Sequence, residues 1–117
     1  FFERAMKNET LTVHNGKNKI DFTYRDDAAK GIIKAAFSQV ANVSFNITNG
    51  KAITLEELAG KIIEITNSES DIEDIGNHPL YPMRGTLDIG RAKDLLGYEP
   101  EISLEEGLKS YYEWLKN

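Results

Sequence analysis

Tyr112 and Lys116 stand at the Tyr-x-x-x-Lys spacing that can serve proton transfer, and they close the chain in the run Tyr112-Glu113-Trp114-Leu115-Lys116. Their setting argues against that use, because the run ends an amphipathic helix whose aromatics more simply pack a core. The carboxylate pairs Asp26-Asp27 and Glu56-Glu57 could act as acid and base, but both fall at predicted helix starts, where capping and the helix dipole account for them. His14 and His78 lie far apart in sequence with no ligand-spaced partner, so a metal site is not expected. There is no Cys, and no Ser sits in a nucleophile-elbow context. No Gly-x-Gly-x-x-Gly turn follows a strand, so backbone amides have no tight approach to a pyrophosphate. The chain is therefore expected to hold no catalytic residue, metal ligand or cofactor site of its own.

These residues need elements to position them. Residues 1 to 7 follow a helical pattern, and Leu11-Thr12-Val13-His14 alternates as a short strand before the turn Asn15-Gly16. Ile20-Asp21-Phe22-Thr23-Tyr24 alternates again, and the two runs can pair as a hairpin. Asp26 or Asp27 can cap a helix that ends near Ser38, with Ala28, Ile32, Ala35 and Ala36 at helical spacing. Val43 to Thr48 reads as a strand stopped by Asn49-Gly50. Thr54-Leu55-Glu56-Glu57 fits a capping box, and Ser103-Leu104-Glu105-Glu106 fits a second one that opens the last helix. Asp88 can cap a helix running to Leu96, closed by Gly97. Between them, residues 68 to 87 form a long polar loop with Asp71 to Ile75 as a short edge strand; Pro79 and Pro82 forbid regular helix there. Loops of that length in a small domain are usually functional or disordered, so it is where pattern alone places a ligand contact.

Composition bounds the rest. A chain of 117 residues with 40% hydrophobic and 28% charged content fits one small folded domain with a modest core. A net charge of −5 argues against a nucleic-acid surface. No apolar run approaches the roughly 20 residues that span a bilayer. With no Cys and no charged-then-apolar leader, a cytoplasmic location is expected. The sequence opens at Phe1-Phe2-Glu3-Arg4 inside an amphipathic pattern, which reads as part of something longer.

Asp21-Phe22-Thr23-Tyr24-Arg25-Asp26-Asp27-Ala28-Ala29-Lys30-Gly31 resembles the R-D-F-x-Y-V-D-D-x-A-x-G segment of the extended short-chain dehydrogenase/reductases, the NAD-dependent epimerases and dehydratases of nucleotide sugars. Further matches keep that family's order. Phe45-Asn46-Ile47 with Asn49-Gly50 resembles Y-N-I-G-x-G, and Thr54 to Leu58 resembles T-x-x-E-L. Leu87 to Pro100 resembles x-D-I-S-K-A-K-x-L-L-G-Y-x-P, and Ser103 to Leu108 resembles S-L-E-E-G-L.

The resemblance implies an α/β, α+β-like lobe of short strands and several packed helices, residues 1–117 forming one substrate-binding C-terminal domain without the Rossmann domain. It implies a nucleoside diphosphate sugar as ligand, NAD in the parent enzyme but not in this segment, and a missing N-terminal Rossmann domain as partner, the parent being a homodimer. Two departures bear on the site. The family's Arg before the Asp-Phe pair is Ile20 here, and its R-P-G-D turn falls at His78-Pro79-Leu80-Tyr81, which retains the Pro. By that resemblance Arg84 becomes the best remaining diphosphate ligand, with His78 and Tyr81 beside it as substrate-binding candidates; a merely solvated or salt-bridged Arg84 is the competing reading. A stand-alone interaction or regulatory module that keeps the fold without the anion-binding groups is the alternative function.

Overall fold

Leu11 and Val13 point to the same side of a strand, and in the computed structural model, which describes residues 1–117, both are fully buried. The elements in chain order are α1 (Phe2–Ala5), β1 (Leu11–Val13), β2 (Lys19–Asp21), α2 (Arg25–Ala36), β3 (Ala52–Thr54), α3 (Leu55–Thr66), β4 (Ile72–Asp74), α4 (Gly90–Leu96) and α5 (Leu104–Lys116). The result is a small α/β lobe of five helices and short strands, as the resemblance implied.

The strands do not pair as the sequence suggested. β1 and β2 form no hairpin: β1 runs parallel to β4, with Leu11 opposite Ile72 and Val13 opposite Asp74. β2 runs antiparallel to β3, with Ile20 opposite Ile53. Burial decides this outcome, since β1 must be covered by Leu58, Ala59 and Ile62 of α3 together with Phe2 and Ala5 of α1, and these seven residues make the main core cluster.

The run Val43 to Thr48 forms no strand. Asn42 at φ 59° precedes it, and two of its carbonyls are met by side chains instead of a ladder: the Arg91 guanidinium donates to the Ser44 carbonyl and the Tyr98 hydroxyl to that of Thr48.

Neither Asp26 nor Asp27 caps α2. Its N-cap is Tyr24 without a side-chain bond, Asp26 pairs with Arg25, and Asp27 is wholly buried, accepting the Ile102 N–H at 2.9 Å. Nor does α2 bury its bulky side, for Ile32, Ile33 and Phe37 are exposed while Asp27 and Gly31 face inward. Close approach explains the choice, because a Cβ on Gly31 would lie 2.3 Å from Ile47 Cγ2 and 3.0 Å from the Tyr98 ring. Asp88 precedes α4 rather than capping it; the N-cap is Ile89, although Asp88 Oδ1 accepts the Gly90 N–H at 2.7 Å.

Local signals fared better. Thr54 and Glu57 form a reciprocal capping box on α3, as do Ser103 and Glu106 on α5, and Gly97 closes α4 at φ 61°. Thr54→Ala is expected to cost about 1 kcal/mol in urea denaturation, the usual loss for such a cap.

Only 14 of 117 residues are buried, and the lobe measures 50 × 36 × 17 Å with a radius of gyration of 16.4 Å. A compact chain of this length would have a radius of about 13–14 Å. The lobe is thus a thin slab, and a parallel pair of strands standing alone, as β1 and β4 do, is a form found almost always inside larger sheets.

Candidate functional site

Parallel strands gather ligands outside their carboxyl ends, where successive connections leave the sheet. Here those ends are Val13 and Asp74, and the residues beyond them, His14 to Asn18 on one side and Ile75 to Leu87 on the other, lie together. Asn15 donates its N–H to the Gly76 carbonyl at 2.8 Å, carrying the pairing past the strands. Asp74 then locks the turn, its Oδ2 accepting from Gly16 N–H at 2.8 Å and its Oδ1 from Gly76 N–H at 2.9 Å.

Those backbone donors, Gly16 first and Gly76 next, hold the Asp74 carboxyl below the ordinary aspartate range, with His14 adding a minor electrostatic contribution. A carboxylate whose folded pKa is depressed stabilises the fold above its unfolded pKa and loses that contribution as pH falls through the folded value. Acidification below about pH 4 is therefore expected to destabilise the lobe. The acid limb of a pH-stability curve should be shallower in Asp74→Asn.

The loop crossing these ends brings the predicted residues together in part. His78 and Tyr81 stack, ring centroids 4.3 Å apart at 28°, within a turn closed by Tyr81 N–H to the His78 carbonyl. The Leu80 N–H donates to His78 Nδ1 at 3.2 Å. His14 joins them edge-on, 5.1 Å from His78 and 5.5 Å from Tyr81. Two residues that the sequence set apart thus share one cluster, although no further His, Asp or Glu completes a metal-ligand group.

Arg84 follows on the same segment, exposed and in no ion pair, its backbone N–H donated to Asn18 Oδ1 at 3.1 Å. Asn18, Asp21 and Thr86 strap this loop to the β2–β3 pair. Asn18 Nδ2 donates to the Pro82 carbonyl, Asp21 Oδ2 accepts from Leu87 and Gly50, and Thr86 Oγ1 accepts from Ala52. Asn18 was missed in the sequence, and the one signal that bore on it was its place just after the Asn15-Gly16 turn. Ile20, where the resemblance expects Arg, sits half-buried opposite Ile53.

Tyr112 and Lys116 lie close together at the end of α5. The Tyr112 ring stacks on Phe2 at 5.8 Å, while Lys116 Nζ sits 4.6 Å over that ring and pairs with Glu113. A separate cleft of about 270 Å³ lies elsewhere, lined by Phe22, Tyr24, Asn49, Ser103, Leu108 and Tyr111 among others; the Tyr24 hydroxyl hydrogen-bonds Ser110 at its border.

In fold and in sequence the chain is similar, over nearly its whole length, to the C-terminal part of the extended short-chain dehydrogenase/reductases that act as NAD-dependent epimerases and dehydratases. No family model matches it. UDP-glucuronic acid decarboxylase 3 of Arabidopsis thaliana is 34% identical over 109 residues, 92% of this chain and 32% of that protein. The structure of UDP-glucose 4-epimerase with UDP-glucose from Thermotoga maritima superposes with a TM-score of 0.91 at 30% identity, covering 98% of this chain and 37% of that one. The Bordetella bronchiseptica enzyme WbmF in complex with NADH gives a TM-score of 0.84 at 28% identity, over 98% of this chain and 35% of that one. The chain spans about a third of the length of the curated relatives it matches.

Proposed function

We propose that residues 1–117 are the nucleotide-sugar-binding lobe of an NAD-dependent sugar-nucleotide epimerase or dehydratase, and that the lobe does not catalyse alone. The observation that carries this reading is the strapped loop at the carboxyl ends of β1 and β4, which holds His78, Tyr81 and the unpaired guanidinium of Arg84 on one segment. A guanidinium offers paired donors in a fixed fork to a diphosphate, and the stacked rings offer a flat apolar contact. Their role would be to position the sugar against chemistry performed elsewhere.

The residues present do not fit NAD. The link from β2 to α2 is Phe22-Thr23-Tyr24, without glycine, and at α3 the Thr54–Glu57 capping box occupies the donors a pyrophosphate would need. NAD is accordingly assigned to the Rossmann portion of a parent enzyme, proposed as a cytoplasmic homodimer. The slab shape and the isolated parallel strand pair support a body that continues the sheet and covers the slab. No helix is long and apolar enough to cross a membrane.

Calorimetric titration with UDP, dTDP, GDP and CDP sugars tests the reading. Binding at micromolar or weaker affinity is expected for at least one, and no heat with any of the four would overturn it. The alternative, a protein-interaction module, draws on the exposed apolar residues of α2 and on Tyr111 and Trp114, which stack in the open on α5. A stable partner in light scattering, with every ligand titration flat, would favour that second reading.

A further inference from the structure

We propose that Asn18 is the positioning residue of the nucleotide site: one buried carboxamide fixes the point at which Arg84 leaves the backbone. The inference rests on the nucleotide-binding reading and adds to it a residue that touches no ligand.

Asn18 is 5% exposed, the most buried amide side chain of the lobe, although it lies in the short link between the Asn15-Gly16 turn and β2. Both ends of its carboxamide are committed to the same three-residue stretch. Nδ2 donates to the Pro82 carbonyl at 3.3 Å, and Oδ1 accepts the Arg84 N–H at 3.1 Å. Its main chain is fixed as well, its N–H donated to the Asn15 carbonyl at 2.8 Å and its own carbonyl accepting Leu55 N–H at 3.1 Å. That second bond ties it to the first residue of α3, the helix that covers the core. Asn15 reaches the same stretch, its Nδ2 lying 3.1 Å from Met83 Sδ.

The loop has no ladder of its own between Ile75 and Leu87. Met83 and Arg84 expose their side chains, so no burial of their own fixes this part of the backbone. A carboxamide suits the task because it is donor and acceptor at once. Carboxylate would lack the donor to Pro82, and an aliphatic residue would lack both bonds. Asn18 thus transmits the rigidity of α3 to the stretch of backbone from which the unpaired Arg84 guanidinium projects.

Amide hydrogen exchange and UDP titration on the 117-residue chain test this together. In the unaltered chain the Arg84 amide is expected to exchange roughly tenfold or more below its unstructured rate, and Asn18→Ala should abolish that protection while the amides of α3 keep theirs. Asn18→Ala is expected to weaken UDP binding by about tenfold, the scale of removing one charge-assisted hydrogen bond. The double variant Asn18→Ala/Arg84→Ala should bind no more weakly than Arg84→Ala alone, because the two act as a unit. Asn18→Asp, which keeps the acceptor, should retain part of the Arg84 protection. An unprotected Arg84 amide in the unaltered chain, or additive effects in the double variant, would overturn the proposal. Failure of the unaltered chain to bind UDP would end the nucleotide reading and this role with it, whereas UDP binding that survives Asn18→Ala intact would end the Asn18 role alone.

Discussion

Tyr98→Ala is expected to cost about 3–5 kcal/mol, the loss typical of a large buried aromatic cut to a methyl, and to abolish the cooperative urea transition or shift its midpoint far down. Tyr98, just after α4, is fully buried against α2 and the Ile47–Thr48 segment, with Gly31 making room for its ring and the Thr48 carbonyl accepting its hydroxyl at 2.9 Å. With so few buried residues to share the load, the lobe has little stability in reserve against domains that are stable by only about 5–15 kcal/mol. Tyr98→Phe separates packing from polarity. It keeps the ring and drops the hydrogen bond, so a loss of roughly 1 kcal/mol is expected. Denaturation curves of the two variants should differ in midpoint by most of the packing contribution, and near-equal curves would show that the Tyr98 ring does not pin α2 to the segment below it.

Arg84→Glu is expected to weaken UDP-glucose binding by about tenfold or more, since it removes a charge-assisted hydrogen bond and sets a carboxylate against the diphosphate. Its melting temperature should scarcely move. The side chain is exposed and in no ion pair, and the backbone bond to Asn18 survives the substitution. Arg84→Lys keeps the charge but not the planar fork, and an intermediate affinity is expected. Calorimetry beside thermal denaturation distinguishes a binding role from a folding one. A drop in affinity that tracks a drop in stability would remove Arg84 from the site.

Much of the local structure was legible in the residues, because it depends on neighbours in sequence. The capping boxes at Thr54 and Ser103, and the left-handed Gly97, each place a donor, an acceptor or a missing Cβ within a few residues, and each formed as expected. Pairing was less legible, because alternation in Leu11 to Val13 and in Ile20 to Tyr24 says that one face is buried and not which strand lies alongside. The partner of β1 lies some sixty residues on, in the Asp71 to Ile75 run that reads as a short edge strand and forms β4, but its three exposed residues carry nothing that names β1 as the neighbour. Val43 to Thr48 had the alternation and found no ladder, and side chains from Arg91 and Tyr98 took up the Ser44 and Thr48 carbonyls instead.

The site was legible to the extent that a long loop with Arg84, His78 and Tyr81 stood out against regular elements. Its geometry was not. His14 meets His78 because β1 and β4 end side by side, a consequence of parallel register, and Asn18 matters because a remote backbone comes to rest on it. Ile32 was expected on the inward face of α2 and is exposed together with Ile33 and Phe37; the sequence held the counter-signal in Gly31, where a close approach demands the absence of a side chain.

Equilibrium dialysis of the purified 117-residue chain against labelled UDP-glucose and, separately, labelled NAD probes the division of labour at its root. Retention of UDP-glucose that unlabelled UDP displaces, with NAD distributing equally across the membrane, is the predicted result. Retention of NAD, or conversion of any sugar nucleotide by this chain alone, would contradict it.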